Sequence, residues 1–523
     1  MSLNHTIMPF FDFHCHPGLK PQFSDPATKV TPWEYIDAKL SISRDFKLRI
    51  NKLFNEVLNS QSNLTQLLDA DVKLIGLILH APEQKIGQVL GEKGFVNRGK
   101  VNLINSKQLA YLASGVHSYE LITEELNWLK TATPPSPGKK LKILNKASDF
   151  DETEAGTVFG AIIVEGLHCF FDNPNDTDAK KIYLKNFHEF TSANTVVAIN
   201  LCHMQQNHFC NHAHGIQFFN PPYFYPTRKG ITEWGMEMIE LMINKKILAD
   251  IKHMSLKARW ELYTHYNPNG DNQFKQPLIC THAGTTGLSI GDRVKYLLKS
   301  PVDKGLVYEV SYLKPQSKHF EKTYHNCSSI NLYNEDIENI LLSGGIIGLS
   351  FDQRILGFAD ESVLPNVTVP HDLEYISHQE AAFFLGPNPG ALPVWPDDTN
   401  VWAAEDFEDL DTSLFIETHR RFLVNNIIHI LWVANKNNSI NIQDAEKQIC
   451  IGTDFDGLIN AINCCTKITG IQQLKEDMRS DIVKGLSKIF GSAIFIDADE
   501  LLDNIFYNNG KNFLLKRIKE MKG

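Results

Sequence analysis

Eight short apolar runs, rich in β-branched residues, constrain the fold of this chain more than any other feature. The runs occupy residues 9–13, 72–79, 158–164, 195–201, 247–251, 277–280, 345–351 and 448–452. Continuous apolar runs of this length are typical of parallel strands that are buried on both faces. Helical spacing of apolar residues occurs between them, at 233–244, 335–342 and 415–434. Strands that alternate with helices predict a parallel sheet with crossover helices.

The number of runs predicts a closed (β/α)8 barrel of the TIM type. The alternative is an open doubly wound sheet, although no glycine-rich phosphate turn follows the first run. The 523 residues exceed the usual size of one domain, but α/β barrels often do so as single units. We therefore expect one barrel over residues 1–523, with insertions around 284–329 and 355–414 and C-terminal helices around 470–523.

Composition excludes several classes of function. The formal net charge of -10 argues against a nucleic-acid binder, which would need a basic face. The nine cysteines are odd in number and scattered, which favours a reducing compartment over a disulfide scaffold. Neither a signal peptide nor an apolar run long enough to span a bilayer is visible. We expect a cytoplasmic protein without a membrane partner.

Metal-binding or acid–base side chains follow six of the eight runs directly. In a barrel, catalytic residues project from the C-terminal ends of the strands. A single histidine at such a place is more often a packing residue, but six occupied strand ends together are hard to attribute to chance. Imidazole and carboxylate ligands suit zinc or a similar divalent ion. The residues are His14, His16, Glu165, His203, His253, His282 and Asp454.

Five segments resemble one known family. They are VEGLH at 164–168, INLCHMQQN at 199–207, ITEWGMEMIELMINKKILADIKHMS at 231–255, THAG at 281–284 and IGTDFDG at 451–457. Together they resemble the membrane (renal) dipeptidases, peptidase family M19, of the amidohydrolase superfamily. The resemblance extends over all of the predicted barrel. It implies a zinc-dependent hydrolase that cleaves an amide or peptide bond in a small molecule such as a dipeptide.

The resemblance also implies a role for each strand-end residue. His14, His16 and Glu165 would bind one zinc ion, and Glu165, His253 and His282 a second; a single ion is the alternative. Asp454 would act as general base and then general acid, with Asp456 as the alternative carboxylate. His203 would stabilise the oxyanion. His168 would lie behind a ligand, with a packing role as the alternative.

The chain departs from the family at two places. The first run ends in His-Cys-His, where the dipeptidases have His-x-Asp. Ile330 stands where the family has an arginine for the substrate carboxylate, and Arg293 or Arg354 would have to replace it. The alternative function is therefore hydrolysis of an ester, lactone or cyclic amide. A barrel that binds a ligand without catalysing a reaction is the third hypothesis. The sequence leaves open whether the chain forms a homo-oligomer.

Overall fold

Eight of the nine parallel strands in the central sheet form the barrel of the computed structural model, which describes residues 8–23, 30–36, 57, 59–92, 106–215, 224–359, 373–392, 412–491 and 494–522. The ninth, Lys140–Ile143, lies off the barrel and pairs with Thr157–Val164. Each barrel strand pairs with the next one along the chain, and every pair is parallel. The strands are β1 (Phe10–Cys15), β2 (Val72–Leu79), β3 (Thr157–Val164), β4 (Val196–Asn200), β5 (Leu248–Asp250), β6 (Ile279–Ala283), β7 (Ile346–Leu349) and β8 (Ile449–Ile451).

The first and last strands meet just beyond their ends, which brings the barrel close to closure. The amide of Asp454 donates to the carbonyl of His14 at 2.8 Å, and the amide of His16 donates to the carbonyl of Phe455 at 2.9 Å. On the same seam, the buried carboxylate of Asp12 accepts hydrogen bonds from the amide and the hydroxyl of Thr453. The prediction of a (β/α)8 barrel is confirmed, and the open doubly wound alternative is wrong.

Helices cover the outside of the sheet, and the three helices predicted from apolar spacing are present. The helix Glu233–Asn244 shows why. The side chain of Thr232 accepts a hydrogen bond from the amide of Gly235 and caps the first turn, while Met238, Ile239 and Met242 are buried. The other helices of eight or more residues are Gln84–Glu92, Ser106–Ser114, Ser118–Thr131, Ala179–Ala193, Leu256–Tyr266, Asn334–Leu342, Thr412–Lys436, Ile471–Phe490 and Asn509–Lys522.

The expected insertions contribute small sheets of their own. Val307–Ser311 pairs antiparallel with Leu373–Ser377 on one side and Val302–Asp303 on the other, so the two inserted segments contact each other. A second pair joins Thr323–Tyr324 to Phe358–Ala359. Residues 360–372 and 393–411 of the second expected insertion lie outside the described residues.

The C-terminal helix closes the end of the barrel at which the strands begin. Phe11 and Phe13 of β1 belong to one buried cluster with Leu514 and Ile518 of Asn509–Lys522. The opposite end, where the strands finish, is left for the polar residues that the sequence singled out. Within the described part of the chain, no helix combines the length and the hydropathy needed to cross a membrane.

Candidate metal centre

The five strand-end histidines converge on one carboxylate. The Nε2 atoms of His253, His14, His16, His203 and His282 lie 3.3, 3.4, 3.5, 3.7 and 3.9 Å from the nearest carboxylate oxygen of Glu165. Glu165 follows β3 directly and is almost fully buried. We call these five histidines, Glu165 and Asp454 the Glu165 cluster. Its members come from six different strand ends, so the barrel assembles it.

Four of the histidines approach each other in two pairs through their Nε2 atoms. In one pair, Nε2 of His14 lies 3.1 Å from Nε2 of His16, and Oδ1 of Asp454 lies 3.2 Å from the latter. In the other pair, Nε2 of His253 lies 3.1 Å from Nε2 of His282. The same oxygen of Glu165, Oε1, is the nearest one to His14 and to His253. Glu165 is therefore close to both pairs of nitrogen donors.

This donor set fits a divalent cation. Oε1 of Glu165 is buried and has no hydrogen-bond partner among the described residues, although an unpaired buried carboxylate oxygen is costly. Two imidazole nitrogens that face each other at 3.1 Å can share at most one proton. A cation bound by the nitrogens and by the carboxylate would satisfy all of these atoms, and nitrogen and oxygen ligands without thiolate suit zinc and its neighbours.

The protonation states also match those of metal ligands. Burial lowers the pKa of His16, His253 and His282 well below the ordinary value, so these imidazoles are neutral. Burial would raise the pKa of Glu165, but the imidazoles of His203 and His14 outweigh it and hold this pKa well below its usual range. A neutral imidazole, as at these three histidines, and an ionised carboxylate, as at Glu165, are the forms that bind a metal ion.

A single hydroxyl orients one histidine from each pair. Thr281, the last residue before His282, donates its hydroxyl proton to the buried carboxylate of Asp250 at 2.5 Å. Its oxygen is left to accept the Nδ1–H groups of His14 at 2.8 Å and His282 at 3.1 Å. This pattern assigns both rings the tautomer whose Nε2 lone pair faces the cluster. Thr281 therefore orients two of the candidate ligand nitrogens.

We expect Thr281→Val to weaken zinc binding by about 10- to 100-fold, because it removes the acceptor that fixes both rings while keeping a β-branched side chain. Competition against a chromophoric chelator measures the affinity. Thr281→Ser is the matched control, since it keeps the hydroxyl and should bind zinc nearly as the unchanged protein does. Equal affinities of the valine and serine variants would show that the hydroxyl does not position the rings.

Two members of the cluster have strained backbones. His253 and Asp454 adopt φ angles of +67° and +63°. A left-handed conformation costs a residue with a side chain about 1–2 kcal/mol. Such strain persists where surrounding structure enforces it, and it concentrates at functional sites. Here each strained residue carries a side chain of the Glu165 cluster.

Asp454 and Asp456 are close in sequence but differ in their surroundings. Burial, the charge of Glu165 and the charge of Asp352 raise the pKa of Asp454 well above its ordinary value, and a bound cation would act in the opposite direction. Asp456 forms an ion pair with the buried amine of Lys20 at 2.8 Å and accepts the amides of Gln61 and Ser62. Its oxygens are occupied, which favours Asp454 as the reactive carboxylate.

Two residues that were not predicted from the sequence, His80 and Glu83, extend the cluster. His80 follows β2 directly, so the rule that selected the other strand ends could have found it. Its Nδ1 donates to the carbonyl of Glu165 at 2.8 Å. Glu83 accepts from Nδ1 of His203 at 2.7 Å, and its other oxygen lies 3.4 Å from Nε2 of His80. His168 lies farther out, with its Nε2 2.8 Å from the carbonyl of Ala81.

The positions considered for a substrate carboxylate do not offer a free cation. Ile330 is buried and apolar. The guanidinium of Arg293 is fully buried and is bound by Glu374 and the hydroxyl of Tyr312, so a substrate would have to displace Glu374. Arg354 forms a two-pronged ion pair with Asp352. The structure thus leaves the recognition of an anionic substrate to another residue.

The comparisons with known proteins support the fold. No protein-family model and no curated protein matches the sequence. Among solved structures, the probable dipeptidase PvdM from Pseudomonas aeruginosa is similar over 98% of this chain and 96% of its own, with 11% identity and a TM-score of 0.51. A metallopeptidase from Rhodobacter sphaeroides, liganded with a phosphinate mimic of the dipeptide L-Ala-D-Ala, is 14% identical over 98% and 99% of the chains, with a TM-score of 0.49. The dipeptidase AC of peptidase family M19 is 15% identical over 98% of each chain, with a TM-score of 0.48. At such low identity a likeness speaks for the architecture alone, so the chemistry of this chain has to be argued from its own side chains.

Proposed function

We propose that this chain is a zinc-dependent hydrolase that cleaves an amide or peptide bond, as a dipeptidase of the M19 type does. The observation that carries the proposal is the arrangement around Glu165, whose carboxylate has five imidazole nitrogens, contributed by four strand ends, at distances of 3.3 to 3.9 Å. Packing alone gives no reason to bury so many unpaired ligand atoms together. Their position at the C-terminal end of a barrel is where such enzymes place their chemistry.

The residues divide into ligands and groups that act on the substrate. His14, His16 and Glu165 would hold one ion, and Glu165, His253 and His282 would hold a second. Divalent ions at such a site lower the pKa of water toward neutrality and polarise a carbonyl group. Asp454, beside His16, would accept the proton of the attacking water and deliver it to the leaving amine. His203, held by Glu83, would donate to the oxygen that becomes negative in the tetrahedral intermediate.

One observation favours a second candidate of the same reaction class. The family's arginine is replaced by Ile330, which is apolar and packs near Gly215 rather than offering a charge. A hydrolase for an ester, a lactone or a cyclic amide would need no such arginine. The two candidates share the metal centre and the base, and they differ in the substrate that the surrounding loops accept.

The test compares metal-free and zinc-loaded protein on a panel of dipeptides, esters, lactones and cyclic amides. We expect zinc to restore hydrolysis of at least one dipeptide, with the metal content measured on the same sample. Zinc-loaded protein that turns over a lactone, an ester or a cyclic amide but no dipeptide would decide for the second candidate. Protein purified without chelator that contains no transition metal and hydrolyses nothing would overturn both and favour a binding barrel.

A further inference from the structure

A cavity of about 390 Å³ lies beside the Glu165 cluster, where the loops after β2, β3 and β4 meet. Glu83 from the first loop, His168 from the second and Arg228 from the third all line it. Glu83 is 2.7 Å from His203, and His203 is 3.7 Å from Glu165. The cavity therefore reaches to within one side chain of the proposed reacting centre, and its volume suits a small substrate.

Arg228, in the wall of this cavity, differs from the other described arginines in its ion pairing. Eight arginines belong to the described residues, and seven of them form an ion pair with a carboxylate. Arg228 is the exception within that part of the chain, and its Nε is buried without a hydrogen-bond partner there. Arg259, Arg293 and Arg517 also have a buried guanidinium nitrogen without a partner, but each of them has an ion pair. In Arg228 no ion pair within the described residues offsets this cost, and an anionic ligand would complete the site.

The backbone holds Arg228 in place. Its amide donates to the side-chain oxygen of Asn211 at 3.1 Å, and the hydroxyl of the preceding Thr227 donates to Gln206 at 2.6 Å. The charge acts within the cavity, because burial and the neighbouring guanidinium together lower the pKa of His208, another lining residue. A guanidinium without an ion pair is the group best suited to bind a carboxylate through two parallel hydrogen bonds.

We propose that Arg228 binds a carboxylate of the substrate, in place of the arginine that Ile330 replaces. The rest of the lining adds to the description of the ligand. Leu112, Val116, Phe171 and Leu306 give the cavity an apolar part beside the guanidinium. The fitting substrate class is a dipeptide or acyl amino acid with a free carboxylate and an apolar side chain. This inference rests on the proposed hydrolase and specifies its substrate.

The experiment measures binding separately from turnover. The probes are L-alanyl-L-leucine and L-alanyl-L-leucinamide, which differ only in the carboxylate. Their dissociation constants are measured by calorimetry on the zinc-loaded Asp454→Asn protein, with and without Arg228→Gln. We expect the dipeptide to bind about 10- to 100-fold more tightly than the amide, and Arg228→Gln to abolish this preference. Arg228→Lys should keep part of it.

Arg479→Gln is the matched control, because Arg479 pairs with Asp499 on the exposed surface and should leave the preference unchanged. A preference that survives Arg228→Gln, equal binding of the two probes, or binding of neither would overturn the carboxylate site. Turnover distinguishes the two proposals. An Arg228-dependent preference without dipeptide hydrolysis by the wild type would support the carboxylate site and count against the hydrolase. Dipeptide hydrolysis without such a preference would support the hydrolase and overturn the carboxylate site.

Discussion

We expect Asp454→Asn to lower kcat/KM by about 100- to 10,000-fold while the zinc content stays near that of the wild type. The amide of asparagine cannot accept the proton of the attacking water, so the loss falls on chemistry. The fold should be retained, because asparagine tolerates the left-handed backbone that Asp454 adopts, with φ at +63°. Turnover of the best substrate and metal analysis of the same sample check both parts.

Asp456→Asn is the matched comparison for this prediction. Asp456 has a similar φ of +65° but is bound by Lys20, Gln61 and Ser62. Its replacement leaves a buried amine without its ion pair, so thermal stability should fall while the rate per folded molecule is largely kept. If Asp454→Asn also lost zinc, Asp454 would be an essential ligand rather than a base. If Asp456→Asn abolished turnover in folded protein, the assignment of the two carboxylates would be reversed.

The second large effect is expected at the carboxylate between the two histidine pairs. Glu165→Gln should remove both ions and reduce the rate to that of the uncatalysed reaction. The amide has the same shape but no charge to offset two cations, and its NH2 group donates where a ligand must accept. Metal content after dialysis and kcat/KM at saturating zinc measure the loss.

Glu125→Gln is the control for this variant. Glu125 is also buried near the strand ends, where it accepts the amide of His80, but burial raises its pKa to about 8. At neutral pH it is largely protonated already, so the amide replaces it with little change of charge. Zinc binding that survives Glu165→Gln would contradict a shared carboxylate, and equal losses in both variants would point to a general effect of buried carboxylates on folding.

The barrel could be predicted from the sequence because each central strand is buried on both faces. That burial leaves continuous apolar runs, and each of the eight runs marks a strand to within a few residues. The seam between β1 and β8 could not be predicted, because Asp12 and Thr453 close it through hydrogen bonds between residues far apart in sequence. The small sheet that joins Val307–Ser311 to Leu373–Ser377 escaped prediction for the same reason.

The site shows a similar division. Residues at the C-terminal end of a strand, such as His14 within β1 and Glu165 directly after β3, were visible because the barrel brings all strand ends to one side. Thr281 and Glu83 could not be predicted from the sequence, because the role of each depends on the histidine that it contacts across the barrel. Arg228 carries no sequence signal at all. Each of the other seven described arginines has a carboxylate partner, and Arg228 has none among the described residues.

The central claim is that Glu165 is shared between two metal ions. An anomalous-difference map from crystals of the zinc-loaded protein, collected on either side of the zinc absorption edge, tests it most directly. We predict two peaks, one beside His14 and His16 and the other beside His253 and His282, with the carboxylate of Glu165 between them. A map without a peak in this cluster, or with zinc bound elsewhere in the chain, would contradict the account.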